Sequence, residues 1–199
     1  MEASRGFCVW FTGLKASGKT TLAGLLREAL QGLGFRVEVL DGQEARRNLS
    51  PGLGFRRKDR EAHLRRVAYV AELLVRHGVV AAITPYESVR QEVRTMVGDL
   101  VEVFLDCPLD VCLERDHQGM YKKALAGEVP RFTGVSDPFE PPAFPDVLIP
   151  TQKESPAESL ARLLRALDVL GRVPPSEVEA FTDEEKEMIK RRLTDLGYM

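Results

Sequence analysis

Residues Gly13-Leu14-Lys15-Ala16-Ser17-Gly18-Lys19-Thr20 fit the pattern G-x-x-x-x-G-K-[ST], and no other stretch of the chain constrains the fold as tightly. They follow an apolar run, Phe7–Thr12, that reads as a buried strand. They open residues 19–33, where Leu22, Leu25, Leu26, Ala29 and Leu30 recur at helical spacing. Strand, glycine turn and helix in that order make a loop whose backbone N–H groups turn inward, with the helix dipole behind them. Such a loop cradles phosphate. Lys19 is placed to reach β- and γ-phosphates, and the Thr20 hydroxyl to ligate Mg²⁺. Gly13, Leu14, Lys15, Ala16, Ser17, Gly18, Lys19, Thr20 and Thr21 are therefore the expected donor-nucleotide site. An unliganded Gly-rich turn is the competing reading, and the strand-to-helix setting argues against it.

The rest of the chain alternates in the same way. Residues 36–40, 79–83, 101–106 and 146–149 read as further strands. Residues 59–77 read as a helix, with Leu64, Val67, Ala68, Ala71, Leu74 and Val75 on one face. Strands alternating with helices predict an α/β fold of the P-loop NTPase type: a parallel sheet with helices on both faces. Ligands in such sheets bind beyond the carboxyl ends of the strands, where the glycine turn falls. Ser155-Pro156-Ala157-Glu158 is a helix start, with Ser as cap, Pro at the first position and Glu three residues on. Thr182-Asp183-Glu184-Glu185 starts another helix, after the break at Val173-Pro174-Pro175. The expected division is a kinase-type domain over 1–172 and a helical extension over 173–199. Residues 127–145, rich in Gly, Pro and aromatics, are long for a plain connection and read as a lid or substrate loop.

Composition excludes several classes. No apolar run approaches the roughly 20 residues of a membrane helix, and the N-terminus lacks the apolar stretch of a signal peptide. The expectation is a cytoplasmic protein with no membrane partner. A net charge of −2 gives no bulk attraction for nucleic acid. The three cysteines form no paired framework, and with the three histidines scattered a structural zinc site is not expected. Between Arg56 and Arg66 stand Arg57, Lys58, Arg60 and Arg65 as well, a basic cluster that reads equally as an oxyanion contact or a solvated helix face. The phosphate loop alone does not separate GTPases, ATPases and small-molecule kinases. No N-K-x-D base-reading motif is present, and the short chain with its 127–145 loop favours a small kinase.

Several separated blocks, in order, carry a more specific likeness. They are GLKASGKTT at Gly13 to Thr21, Asp41-Gly42 with Arg46 and Leu49, and LGFRRKDR at Leu53 to Arg60. Further on come Pro85-Tyr86, Pro108-Leu109, Arg115-Asp116, Gly119-Met120-Tyr121, Phe132-Thr133-Gly134 and Asp137-Pro138-Phe139-Glu140. On these blocks the chain, from about Gly6 to Thr151, resembles the adenylyl-sulfate kinases. The resemblance implies transfer of phosphate from ATP, with Mg²⁺, to the ribose 3′-hydroxyl of adenylyl sulfate, a step of sulfate activation. It also implies a homodimer. Lys19 and Asp41 would be catalytic, and Thr20 and Asp41 would lie at the metal. Arg46 and Arg60 match arginines that bind the acceptor's anionic groups, as suits planar guanidinium forks. Phe55 and Phe132 match aromatics that sandwich the acceptor adenine, with Thr133 beside them. Arg115 would meet donor phosphates or adenine, and Thr151 would border the donor adenine. Each has a plainer alternative: Asp41 as a helix cap, Phe55 as core.

The sequence also departs from the family pattern, which has D-G-D where this chain has Asp41-Gly42-Gln43. His63 stands for an Asn, Glu87 follows Thr84-Pro85-Tyr86 where Arg is usual, and Gln118 replaces a Lys. Leu125 replaces an Arg, Pro130-Arg131 replaces Lys-Gly, and Lys15 adds a charge inside the phosphate loop. Three readings follow: an adenylyl-sulfate kinase, a kinase of the same fold with another nucleotide or small hydroxyl acceptor, and an ATP-binding regulatory protein with weakened catalysis.

Overall fold

Side chains on a strand alternate between faces, and β1 (Phe7–Thr12) does so with apolar groups on both. Phe7, Val9 and Phe11 join one core, Cys8 and Trp10 the other. A strand buried on both faces belongs at the centre of a parallel sheet, and β1 is there. The computed structural model describes residues 6–54, 56–84 and 87–175. The strands β2 (Val37–Val39), β3 (Val79–Thr84), β4 (Leu100–Asp106) and β5 (Val147–Pro150) complete a sheet of order β2-β3-β1-β4-β5. All pairings are parallel, with Thr12 in register with Thr84 on one side and Phe104 on the other.

Helices cover both faces. Against Phe7, Val9 and Phe11 lie α1 (Lys19–Gly32), through Leu22, Leu26 and Leu30, and α7 (Pro156–Val169), through Leu163 and Leu167. Against Cys8 and Trp10 lie α3 (Arg57–Val75) and α4 (Glu87–Val97). The helical face expected on α3 is the buried one: Leu64, Val67, Ala68 and Ala71 are covered, with Leu74 and Val75 packed beside them. The helix α2 (Gly42–Leu49) follows β2, and two short helices, α5 (Leu109–Glu114) and α6 (Met120–Leu125), follow β4. The start of α7 is the expected capping box: Ser155 accepts from the Glu158 N–H, and the Glu158 carboxylate accepts from the Ser155 N–H.

The expected element bounds shift by a few residues. The strand expected over 36–40 is Val37–Val39, and the helix expected over 59–77 begins at Arg57, with Asp59 inside its first turn. The helix α4 and the two six-residue helices carried no separate sequence signal. Val173 packs into the same core as α1 and α7. The helix expected from Thr182 onward lies outside the described residues. No helix among the described residues is long and apolar enough to cross a membrane.

Candidate active site

The carboxyl ends of four strands empty into one cleft of about 1070 Å³. Gly13 follows β1, Asp41 lies two residues beyond β2, the segment after β4 leads to Arg115, and Thr151 follows β5; all line the cleft. This is the location that the parallel sheet dictates for a ligand.

The phosphate loop is built on backbone that most side chains would forbid. Gly13 has φ 146°, and a Cβ there would lie 2.7 Å from the Leu105 carbonyl and 2.8 Å from Ser17 Oγ. Only glycine lets the loop turn that close to β4. Ala16, with φ 61°, holds a left-handed conformation that costs about 1–2 kcal/mol for a residue with a Cβ. Such strain persists where surrounding structure enforces it. Lys19 curls over the loop: its Nζ donates to the Gly13 carbonyl at 2.9 Å, to the Leu14 carbonyl and to Ser17 Oγ at 3.4 Å. Burial, reinforced by the Lys15 charge, lowers its pKa to about 8. Thr20 and Thr21 open α1 on the cleft side.

Opposite the loop stands Asp41, the N-cap of α2. Its Oδ1 accepts from the Gln43 N–H at 2.9 Å and the Glu44 N–H at 3.1 Å. The capping alternative is therefore real, yet it uses one carboxylate oxygen and leaves Oδ2 out of the cap. Asp41 and Thr20 line the same cleft, so a hydroxyl and a carboxylate, hard oxygen donors of the kind Mg²⁺ takes, face a shared space.

Three residues further along this wall come from α2 and α3. Arg46 donates to the carbonyls of Leu53 and Gly54, which fixes the turn leading into α3. Burial and the charge of Arg60 lower its pKa. Ser50 Oγ and His63 Nδ1 share a hydrogen bond of 2.9 Å in the buried floor. Burial, then Arg46 and Arg66, drive the His63 pKa down to about 4, so the imidazole is neutral at pH 7 and adds no further cation. Arg60, only 7% exposed, donates to Thr133 Oγ1 at 2.6 Å and to the Arg131 carbonyl, and it pairs with Asp137 at 3.1 Å.

That arginine ties α3 to residues 127–145, the expected lid. The segment is a knot of turns: the Phe132 carbonyl accepts from Val135, Ser136 and Asp137, while the Phe132 N–H donates to Ser136 Oγ at 2.8 Å. The Phe132 ring meets Tyr121 edge-on at 4.9 Å, and both Phe132 and Thr133 line the cleft. At the far end Arg115 donates to the Thr151 carbonyl at 2.8 Å and to Cys107 Sγ at 3.7 Å. Thr151 Oγ1 is buried and has no hydrogen-bond partner among the described residues.

The structure thus gathers the loop residues, Asp41, Arg46, Arg60, Arg115, Phe132, Thr133 and Thr151 around one space. Leu14 contributes its carbonyl only; its side chain turns away and packs where Gly134 approaches. Phe55 lies outside the described residues. The basic cluster divides: Arg57 pairs with Glu61 and Arg65 with Glu92 on the exposed surface, whereas Arg60 is buried. Two features had no site role assigned from sequence, the Ser50–His63 pair and Tyr121, whose hydroxyl donates to the Lys15 carbonyl at 2.9 Å. The block Gly119-Met120-Tyr121 marked the place of the second without its partner.

Comparison with known proteins places this geometry. The family model described as adenylylsulphate kinase matches residues 5–150. An adenylyl-sulfate kinase of Synechococcus sp. (strain JA-3-3Ab) is 50% identical over 166 residues, which cover 82% of this chain and 94% of that protein. A probable bifunctional SAT/APS kinase 2 of Sorangium cellulosum is 51% identical over 172 residues; the match covers 85% of this chain but only 30% of that longer protein. Among solved structures, the Mycobacterium tuberculosis APS kinase CysC in complex with AMPPNP and APS superposes with a TM-score of 0.77. It is 38% identical, over 82% of this chain and 98% of that one.

Proposed function

The chain belongs to the adenylyl-sulfate kinase family, and from that premise we propose that its cleft moves the γ-phosphoryl group of ATP onto the ribose 3′-hydroxyl of adenylyl sulfate. The carrying observation is that a phosphate loop and a cationic, aromatic wall open on one cleft of about 1070 Å³. That lies at the upper end of the roughly 300–1,000 Å³ typical of small-molecule pockets, and its two unlike walls suit a donor and an acceptor. The M. tuberculosis relative, solved with AMPPNP and APS together, supports a two-substrate reading.

In this reading the donor triphosphate lies on Gly13 to Thr21 with Lys19 at its β- and γ-phosphates. Its adenine lies toward Arg115 and Thr151, which line that end of the cleft. The acceptor lies toward Arg46, Arg60, Phe132 and Thr133. Asp41 accepts the 3′-hydroxyl proton; the 3′-oxygen then bonds the γ-phosphorus as its bond to the β,γ-bridging oxygen breaks, and ADP leaves. Thr20 and Asp41 would hold Mg²⁺, which when bound offsets phosphate charge. Gln43 cannot take a proton, so that task falls to Asp41 alone. Initial rates with ATP-Mg and adenylyl sulfate test this: Asp41→Asn should lower kcat by about 10²-fold or more, and Gln43→Ala far less. Equal rates for wild type and Asp41→Asn would overturn the assignment.

A further inference from the structure

Lys15 sits in the middle of the phosphate loop, lines the cleft, and is held at two points by one short stretch of chain. Its carbonyl accepts from the Tyr121 hydroxyl at 2.9 Å. Its ammonium donates to Gln118 Oε1 at 3.2 Å, across 103 residues of sequence. Gln118 belongs to the turn before α6, and Tyr121 to α6 itself. The two ties differ in kind. Tyr121 is fully buried, packed with Cys107 and Cys112, and its bond to the loop is partly shielded from water. The ammonium bond is exposed, runs to a neutral amide oxygen and is long, so water competes with it on nearly equal terms. A cation held that weakly exchanges readily for an anionic acceptor.

A second observation names the anion. Lys15 and Lys19 stand four residues apart in the same loop, and both line the cleft. Two ammonium groups in one short loop repel each other, and an anion between them relieves both. The backbone beneath them already forms a phosphate cradle.

We propose that Lys15 is a second donor-phosphate cation, resting on Gln118 and passing to the terminal phosphates of ATP, so that phosphate arrival releases the turn before α6. The released turn leads directly to Tyr121, and Tyr121 meets Phe132 of the 127–145 segment at 4.9 Å. Donor phosphate is thereby felt at the cover of the acceptor side. The inference rests on the phosphate-loop reading and deepens it, since membership in the loop does not by itself make residue 15 a charged contact.

Calorimetric binding of ATP and of AMP, without acceptor, tests it on wild type, Lys15→Met and Gln118→Met. Methionine matches the length of Gln118, falls one atom short of Lys15, and removes the hydrogen bond in both. Lys15→Met should weaken ATP binding about tenfold, the size of one charge-assisted contact, and leave AMP unchanged. Gln118→Met should leave ATP affinity unchanged or tighten it, because the resting place is lost while the cation remains. If Lys15 only braces the loop, the two variants will lose ATP affinity equally, or AMP and ATP will weaken together; either result overturns the proposal. So does ATP affinity within twofold of wild type in a folded Lys15→Met protein. Because binding is read without acceptor, a failure to turn over adenylyl sulfate would bear on the acceptor reading alone.

Discussion

Lys19 shows how one side chain links burial to function. Its pKa of about 8 lies below the ordinary lysine value because the loop buries the ammonium, with Lys15 adding repulsion. Phosphate supplies negative charge and must raise that pKa again. The sign follows: near pH 8.5 most of the free protein lacks the Lys19 proton, the complex carries it, and ATP binding takes up between about half and one proton. Near pH 7 both states are protonated and uptake vanishes. Binding enthalpies measured at pH 8.5 in buffers of different ionisation enthalpy read this directly. The slope should be positive for wild type and zero for Lys19→Arg, which never loses its proton; a flat wild-type slope contradicts the assignment. At this scale placement was legible where it follows from position in a motif, as for Lys19 and Thr20, which line the cleft as expected. The sequence was silent where a role depends on a distant partner. Nothing local to Tyr121 or Gln118 says that both reach Lys15, and nothing local to His63 says that Ser50 and two arginines surround it.

Elements were legible in proportion to their periodicity and length. The strand β1 and the helices α1, α3 and α7 were evident because each buries a continuous face over several turns or residues. The six residues of α5 and of α6 are too few to display a helical period, and their order comes from tertiary contacts such as Cys112 and Tyr121 in a small third core. Residues 127–145 read as irregular and are so, but the buried Arg60 that ties them to α3 looked like one cation in a row of six. Its contacts with Arg131, Thr133 and Asp137 make a clear expectation. Arg60→Met should free the segment: limited proteolysis within 127–145 should speed up by about tenfold or more, the effect of losing one or more charge-assisted bonds of about 1.5–3 kcal/mol each. The acceptor KM should rise with it while ATP affinity changes little. Unchanged cleavage in Arg60→Met would show that the turns of residues 132–137 hold the segment by themselves.

At the scale of the whole molecule, topology does most of the explaining. Among the described residues a five-stranded parallel sheet with β1 at its centre presents its concave site at the carboxyl edge, and four strand ends deliver their residues there. The phosphate loop occupies the middle of that edge; Asp41 and the arginines lie toward β2, and Arg115 and Thr151 toward β5. On the proposed assignment, donor and acceptor meet over the loop. Departures from the family pattern at Lys15, Gln43 and Gln118 change charges around this space, and the neutral His63 changes only its hydrogen bonding; Lys19, Thr20 and Asp41 are all retained. The most direct measurement is phosphorus NMR of a reaction containing the protein, ATP, Mg²⁺ and adenylyl sulfate. The expected spectrum gains one phosphomonoester resonance coupled to the ribose 3′ proton, in equal amount to the ADP formed. ADP without that ester, phosphate on another hydroxyl, or no turnover by folded, ATP-binding protein would contradict transfer to the 3′-hydroxyl of adenylyl sulfate.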